Sequence, residues 1–268
     1  MNESLVKYLS GLLDADGSLS FKFRVGRNTG DHGYLSLMLS LSASTAVDER
    51  GFVESLPAQT GMGTVSRYGD KSQFTRWDVV RSADIEKLLP RLVKHMLIKG
   101  RHWDWMLNEW REKKSARLSP VEFQTIQDAS KASRKSRSGP LKPKNHPTWA
   151  WLAGYLDGDG WYRYKKYQGK DGYGRWMMRC GAVAHESDAH VLQFIQNAFG
   201  GTIGAHSSET PHIRVWDRNL GASEKSFALR FLPNVAKHSR LKRHKIDQLV
   251  HHHQQRLSDP APAGEATV

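Results

Sequence analysis

The chain's 268 residues include 40 Lys and Arg against 27 Asp and Glu, a formal charge of +13 with a pI near 9.8. That balance points to a polyanionic partner, nucleic acid first, with a merely basic and solvated surface as the plainer alternative. The single Cys180 excludes an intramolecular disulfide framework and a cysteine-based zinc cluster. No apolar run reaches the roughly 18 residues of a membrane span. The first residues carry acids instead of a basic-then-apolar signal. The expectation is a cytoplasmic protein, or one of an organellar matrix if organelle-encoded, with no membrane partner and room for two packed domains.

In chain order, a short helix with Leu5, Tyr8, Leu9 and Leu12 on or near one face ends at Leu9-Ser10-Gly11-Leu12-Leu13-Asp14-Ala15-Asp16-Gly17, where Gly17 offers the freedom a helix end favours. Strict apolar–polar alternation over 19–25 predicts a half-buried strand. Alternation returns over 34–42 with Leu35, Leu37, Leu39 and Leu41 on one face, giving a hairpin around a turn at 26–33. A helix at 45–56, strands at 64–68 and 74–80, and helices at 83–89 and 99–114 complete the unit. From 111 to 147 there are ten Lys or Arg against three acids, with Ser, Gly and Pro in the later part, which reads as a linker. Within it Ser119-Pro120-Val121-Glu122 has the pattern of a capping box and starts a short helix.

The chain then repeats itself. Leu152-Ala153-Gly154-Tyr155-Leu156-Asp157-Gly158-Asp159-Gly160 restates the first nonapeptide 143 positions on. Gly63-Thr64 returns as Gly201-Thr202 and Trp77-Asp78 as Trp216-Asp217 at slightly smaller shifts, and Leu89-Pro90 and Lys94-His95 return as Leu232-Pro233 and Lys237-His238 at 143 again. A drift that opens and closes between fixed anchors is what loop-length differences produce in two copies of one fold. Helices are expected at 185–199 and 223–231, followed by a basic segment at 237–255 and a Pro- and Ala-rich disordered tail at 258–268. His251, His252 and His253 read as a solvated run, because neighbouring helical residues point about 100° apart.

Asp-x-Asp-Gly alone is a weak signal, and a single copy would be read as a turn cap. An EF-hand would need Glu at the twelfth loop position, where Val25 and Gln168 stand. Two copies change the reading. Small residues flank the acids on one helical side, Ser10, Gly11 and Ala15 in one half and Ala153, Gly154 and Gly158 in the other, so two helix backbones can approach closely. That packing brings Asp16 and Asp159 together, where like charges call for a cation between them. Hard oxygen ligands, with no Cys or His at ligand spacing, favour Mg2+.

Ser20, Lys22 and Arg24 stand 4, 6 and 8 residues past Asp16 on one strand face, and Arg163, Lys165 and Tyr167 stand at the same offsets from Asp159. Such rows reach phosphates and base edges in a DNA major groove, and Arg76, Arg175, Arg179 and Arg214 extend them. A charged strand face that is only solvated is the competing reading. Two sheets related by a pseudo-twofold axis would each cover about one turn of double-stranded DNA, a site of roughly 20 base pairs. The minor groove between them would face the aspartates, one acid for each strand.

These features resemble the LAGLIDADG homing endonucleases in their single-chain, two-motif form, over about residues 4–255. The second nonapeptide is close to the family pattern, and the first has Ser10 where the pattern has alanine. The resemblance implies an α+β fold of two pseudo-symmetric αββαββα half-domains, each with a saddle-shaped antiparallel sheet, packed through their motif helices. The halves are expected at 1–114 and 148–257, with the linker at 115–147. It further implies a monomeric, site-specific, Mg2+-dependent endonuclease that leaves short 3′ overhangs. Asp16 and Asp159 would hold metal with help from the backbone carbonyls of Ala15 and Gly158, while Asp14 and Asp157 support the helix ends. One basic residue per half is expected beside the scissile phosphates: Lys99 and Lys242 match each other at the 143 shift, with Arg101, Lys94 and Lys237 as competitors. A maturase that binds intron RNA and a DNA-binding regulator are the alternatives; a regulator that had lost cleavage would be expected to lack one acid, and both are present.

Overall fold

The computed structural model describes residues 1–26, 31–44, 47–70, 73–142, 144–168, 174–219 and 225–258. Apart from Ser258, the tail expected to be disordered lies outside them. The first half runs α1 (Glu3–Asp16), β1 (Gly17–Val25), β2 (Gly33–Ser44), α2 (Val47–Thr60), β3 (Thr64–Tyr68), β4 (Phe74–Val79) and α3 (Ser82–Val93), followed by α4 (Gly100–Lys113) and α5 (Pro120–Ser136). The second half repeats the order in α6 (Trp149–Asp159), β5 (Gly160–Gln168), β6 (Gly174–His185), a 3-10 turn at Glu186–Asp188, α7 (His190–Phe199), β7 (Thr202–Ala205), β8 (Ile213–Asn219), α8 (Lys225–Ala236) and α9 (Arg243–Ser258). Each half holds one antiparallel four-stranded sheet, ordered β1-β2-β4-β3 and β5-β6-β8-β7. The architecture is α+β in two pseudo-equivalent αββαββα halves.

Strand registers explain the drift in the repeat. Val25 pairs with Gly33 and Gln168 with Gly174, so a shift of 143 on the first strands becomes 141 on the second, because the second hairpin is shorter. It falls to 138 between Thr64 and Thr202, where a 14-residue α2 is answered by a 3-10 turn and a 10-residue α7. The longer connection before α8 restores it, since Ser82 and Lys225 both begin helices. Beneath each sheet the copies agree atom for atom: the buried Trp77 Nε1 donates to the Met62 carbonyl at 3.0 Å and Trp216 Nε1 to the Gly200 carbonyl at 2.7 Å.

Several helices depart from expectation. α3 and α8 continue through Pro90 and Pro233, because burial of Leu92, Val93, Val235 and Ala236 beyond the prolines outweighs the lost backbone bond. α5 runs for 17 residues where a short helix was expected. Its Phe123 stacks on Phe23 with ring centroids 5.1 Å apart, and Ile126 is buried. α7 starts at His190 rather than 185, since β6 extends to His185. Gly17 and Gly160 do not adopt left-handed backbone, having φ of −76° and −93°. Their missing side chains matter instead, because a Cβ would lie 2.7 Å from the Leu13 carbonyl oxygen or 2.5 Å from that of Leu156.

The motif helices α1 and α6 pack tightly against each other, burying Tyr8, Leu9, Leu12 and Leu13 with Trp151, Leu152, Tyr155 and Leu156. Gly11 lies against the Trp151 carbonyl and Gly154 against the Tyr8 carbonyl, and a methyl group at either would overlap that oxygen. Ser10 fills the position of Ala153 and adds a function, its one hydroxyl proton shared between the Val6 and Leu92 carbonyls at 2.8 and 2.9 Å and so tying α1 to α3. Gly154→Ala should force the helices apart and destabilise the chain by about 1–3 kcal/mol, the range for overpacking a close contact. A thermal midpoint unchanged from the unaltered chain would show that the helices can slide to make room.

Candidate active site and DNA interface

The helix ends of α1 and α6 are held by reciprocal networks. Asp14 is buried and accepts from the backbone N–H of Leu97 (2.6 Å) and Lys99 (2.9 Å) and from Trp151 Nε1 of the other half (3.0 Å). Asp157, equally buried, accepts from the N–H groups of Arg240 (2.7 Å), Leu241 (3.0 Å) and Lys242 (3.2 Å), from Ser239 Oγ (2.6 Å) and from the Tyr8 hydroxyl of the first half (2.8 Å). The first acid of each motif therefore anchors the loop that precedes α4 or α9, and that loop carries the lysine.

Lys99 Nζ donates to the carbonyls of Leu13, Ala15 and Gly17 at 2.8–3.0 Å, and Lys242 Nζ to those of Leu156, Gly158 and Gly160 at 2.6–3.1 Å. Each ammonium thus spends its three donors on the C-terminal end of its own motif helix, where the helix dipole favours a cation. Burial pushes both lysine pKa values down, against the pull of nearby acids. For Lys99 those acids are Asp14, Asp159 and Asp16, and for Lys242 they are Asp157, Asp16 and Glu49. Of the competing basic residues, Lys94, Arg101 and Lys237 are exposed, and none bonds a motif helix end among the described residues.

Asp16 and Asp159 end the two helices side by side. The Asp16 carboxylate lies over Gly158, so close that a Cβ there would sit 2.7 Å from Oδ2. Asp16 is open to solvent on one side and Asp159 is half-buried, yet enough protein surrounds both that burial raises each carboxyl. The charge of Asp16 adds to this, and Asp159 is pushed up to about 6, with Lys99 and Lys242 opposing the shift. The oxygen-rich pair therefore fits a divalent cation, which would relieve that repulsion. The Ala15 and Gly158 carbonyls, already accepting from the lysines, keep a second lone pair each.

A stability consequence follows. Because the folded pKa of Asp159 is raised from 3.8 to about 6, its contribution is fully present below pH 3.8 and lost as pH rises through 6. Asp159→Asn, which carries no charge, should therefore make the metal-free chain more stable by roughly 1–2 kcal/mol at pH 7, after discounting for solvent screening. The gain should vanish near pH 4. Equal stabilities at both pH values, by urea unfolding in a chelator, would mean that the pair is not strained.

Two acids near this centre were missed by the sequence reading. Glu49 lines a cavity of about 400 Å³ with Asp16, Ser42, Gly158 and Lys242, and Asp188 lines another of about 220 Å³ with Lys99. They stand 139 positions apart, the same shift as Trp77 and Trp216, and that shift is the signal that could have paired them. Among the described residues no cluster of three or more His, Cys, Asp or Glu could hold a metal ion.

The strand faces divide as the alternation required. Lys22 and Arg24 are exposed on β1, Ser20 is half-exposed, and Phe21 points into the core. In the second half the exposed Arg163 lies over the Trp161 ring at 5.0 Å, with Arg179 at 6.0 Å from the same ring. The side chains of Lys165, Tyr167 and Arg175 lie outside the described part of the structure. The remaining arginines already have partners: Arg76 pairs with Asp78 at 2.8 Å and lies over Tyr68, and Arg179 pairs with Asp217. Arg214 does not extend the row as expected: it stands opposite Ala184, on the other face of the sheet from Arg163 and Arg179, and pairs with Glu186 at 2.9 Å. Asp78 and Asp217 occupy equivalent positions, so each sheet holds one arginine in place by the same acid.

Paired αββαββα halves joined through small-residue helices, with an acid and a lysine at each helix end, define the fold of the single-chain LAGLIDADG homing endonucleases. Solved structures agree. The I-SmaMI LAGLIDADG homing endonuclease bound to cleaved DNA matches 98% of this chain and 93% of its own at a TM-score of 0.72 and 16% identity. The LAGLIDADG homing endonuclease I-GzeII in complex with its DNA target matches 94% and 91% at 0.68 and 13%. I-SmaMI bound to an uncleaved DNA target in the presence of calcium ions matches 97% and 94% at 0.72 and 16%. By sequence, no family model and no curated protein matches the chain.

Proposed function

We propose that this protein is a site-specific, divalent-metal-dependent endonuclease for double-stranded DNA, acting as a monomer whose halves at 1–114 and 148–257 each serve one strand. The observation that carries the reading is the paired Asp16 and Asp159, two strained carboxylates at the join of two helix ends, each with a lysine beside it. Relatives in fold whose structures contain DNA support the partner. The exposed Lys22, Arg24 and Arg163 support a major-groove role for the sheets, with Ser20, Lys165, Tyr167 and Arg175 continuing the rows. Arg76 and Arg179 serve the same face from fixed positions, and Arg214, which projects from the other face of its sheet, is left out of the row.

Asp16 and Asp159 would hold the cation, Mg2+ in the cell, with the Ala15 and Gly158 carbonyls beside them. When bound it supplies charge stabilisation to the phosphate under attack and to the departing 3′ oxygen. The protein orients both carboxylates, holds Lys99 and Lys242 near both acids, and presents two equivalent positions across the pseudo-twofold axis for cutting both strands with short 3′ overhangs. A target of about 20 base pairs follows from one helical turn per half.

The test is to incubate the purified chain with the genomic DNA of its source, with Mg2+ or with a chelator, and to sequence all new ends. Unique Mg2+-dependent ends bearing short 3′ overhangs are expected. Tight, salt-sensitive binding to a structured RNA with no specific ends would overturn the reading in favour of a maturase.

A further inference from the structure

We propose that the linker helix α5 seats one backbone phosphate of the DNA beside a single one of the two cutting positions, with Arg134 as its principal contact. The inference rests on the endonuclease reading and extends it to a segment that reading leaves as a connector.

The linker is fixed to the first half at both ends. Leu118 forms a two-way backbone bridge with Gly33 at 2.9 Å in each direction. The capping box at Ser119 and Glu122 then starts α5, Phe123 stacks on Phe23 of β1, and Arg137 lies over the Trp105 ring of α4 at 5.3 Å. After the helix, Gly139 exchanges bonds with Arg101 and Ile98, its carbonyl accepting from the Arg101 N–H at 3.2 Å and its N–H donating to the Ile98 carbonyl at 2.6 Å. A connector that only had to span a gap would need none of these contacts.

What they position is the cavity of about 220 Å³ between α4, α5 and the start of β1, lined by Lys99, His102, Ser130, Lys131, Arg134 and Ser138 among others. Three formal cations face one carboxylate, Asp188, contributed by the second half. Lys99 spends its donors on the helix end and Lys131 pairs with Asp128 at 3.1 Å. Arg134 has no hydrogen bond or ion pair among the described residues, and its charge bears unfavourably on both Lys99 and His102. Burial and the charges of Arg134 and Arg137 push His102 down to about 4, so the ring is neutral and adds no competing cation. Unpartnered guanidinium, hydroxyls and surplus positive charge next to the lysine of a cutting position are what a phosphodiester oxygen pair binds, the guanidinium being able to grip it in two places.

Among the described residues only one cutting position has this seat. The cavity beside Asp16 and Lys242 holds Glu49 and no arginine, and among the described residues no helix follows α9 to play the part of α5. The linker therefore breaks the functional symmetry of the halves.

The test measures binding of the full chain to a random-sequence 40-base-pair duplex, without divalent metal, across a salt series. Each lost phosphate contact reduces the slope of log K against log salt by about 0.9. Arg134→Gln should lower the slope by about that amount, while Arg137→Gln, which removes the same charge outside the cavity, should leave it nearly unchanged. With the natural target in hand, Arg134→Gln should also slow the cut on one strand at least about tenfold more than the other. Equal slopes for Arg134→Gln and the unaltered chain, or equal losses in the two variants, overturn the phosphate seat alone. Absence of any salt-dependent duplex binding by the unaltered chain overturns the endonuclease reading and this inference with it.

Discussion

Asp16→Asn is expected to lower double-strand cleavage by at least about 10³-fold while leaving DNA binding within a few-fold of the unaltered chain. The carboxylate lies over Gly158 at the join of the two helices and couples to Asp159, so an amide there removes one of the two charges that can hold a divalent cation. Losing a few kcal/mol of charge stabilisation in the attack on phosphate corresponds to that rate loss, at tenfold per 1.4 kcal/mol. Asp159→Asn should behave alike. The lysines sharpen the test, because each is fixed at the end of its own motif helix, one in each half. Lys242→Met and Lys99→Met should each leave mostly nicked product, cut on opposite strands. The measurement is single-turnover cleavage with each strand labelled; full activity in either aspartate variant would remove the motif acids from the chemistry.

The second large effect is on folding. Asp157→Ala strips the common acceptor from five donors, the Tyr8 and Ser239 hydroxyls and the Arg240, Leu241 and Lys242 amides, in a buried setting. Unsatisfied buried groups cost about 1–3 kcal/mol each, although relaxation and water recover part. The expected loss is about 3–5 kcal/mol, as for other broken buried networks, read as a fall in the urea midpoint with the slope unchanged. Asp14→Ala, with three donors, should lose less. A loss below about 1 kcal/mol at Asp157 would show that water enters and replaces the carboxylate.

Much of this was legible in the chain. The order of elements, the hairpin of β1 and β2 and the contact of α1 with α6 follow from alternation, the repeat and the small residues Gly11 and Gly154, since these are local or pairwise constraints. Helix ends were less legible. Pro90 and Pro233 are strong local stop signals that burial of their successors overrides, and such burial depends on residues far away in sequence. At the site, the motif acids and the lysines could be named from the repeat, but not how they are used. That Asp157 serves five donors, or that Lys99 caps its helix, depends on three-dimensional convergence of residues some 85 positions apart. Glu49 and Asp188 escaped because nothing around them is repeated strongly enough to catch the eye. The length of α5 escaped because its polar sequence shows little of the face that Phe123 and Ile126 bury.

The exchange of partners between the halves constrains how such a chain can vary. Asp14 depends on Trp151 and Asp157 on Tyr8, so each half's buried acid is completed by an aromatic donor on the opposite helix. A chimera joining one half to a stranger must bring a matching donor or bury a carboxylate short of one bond. The pair of aromatic–acid contacts works as a compatibility check between halves, operating at the level of folding. Recombinants that pass it are the ones in which new combinations of halves can be tried.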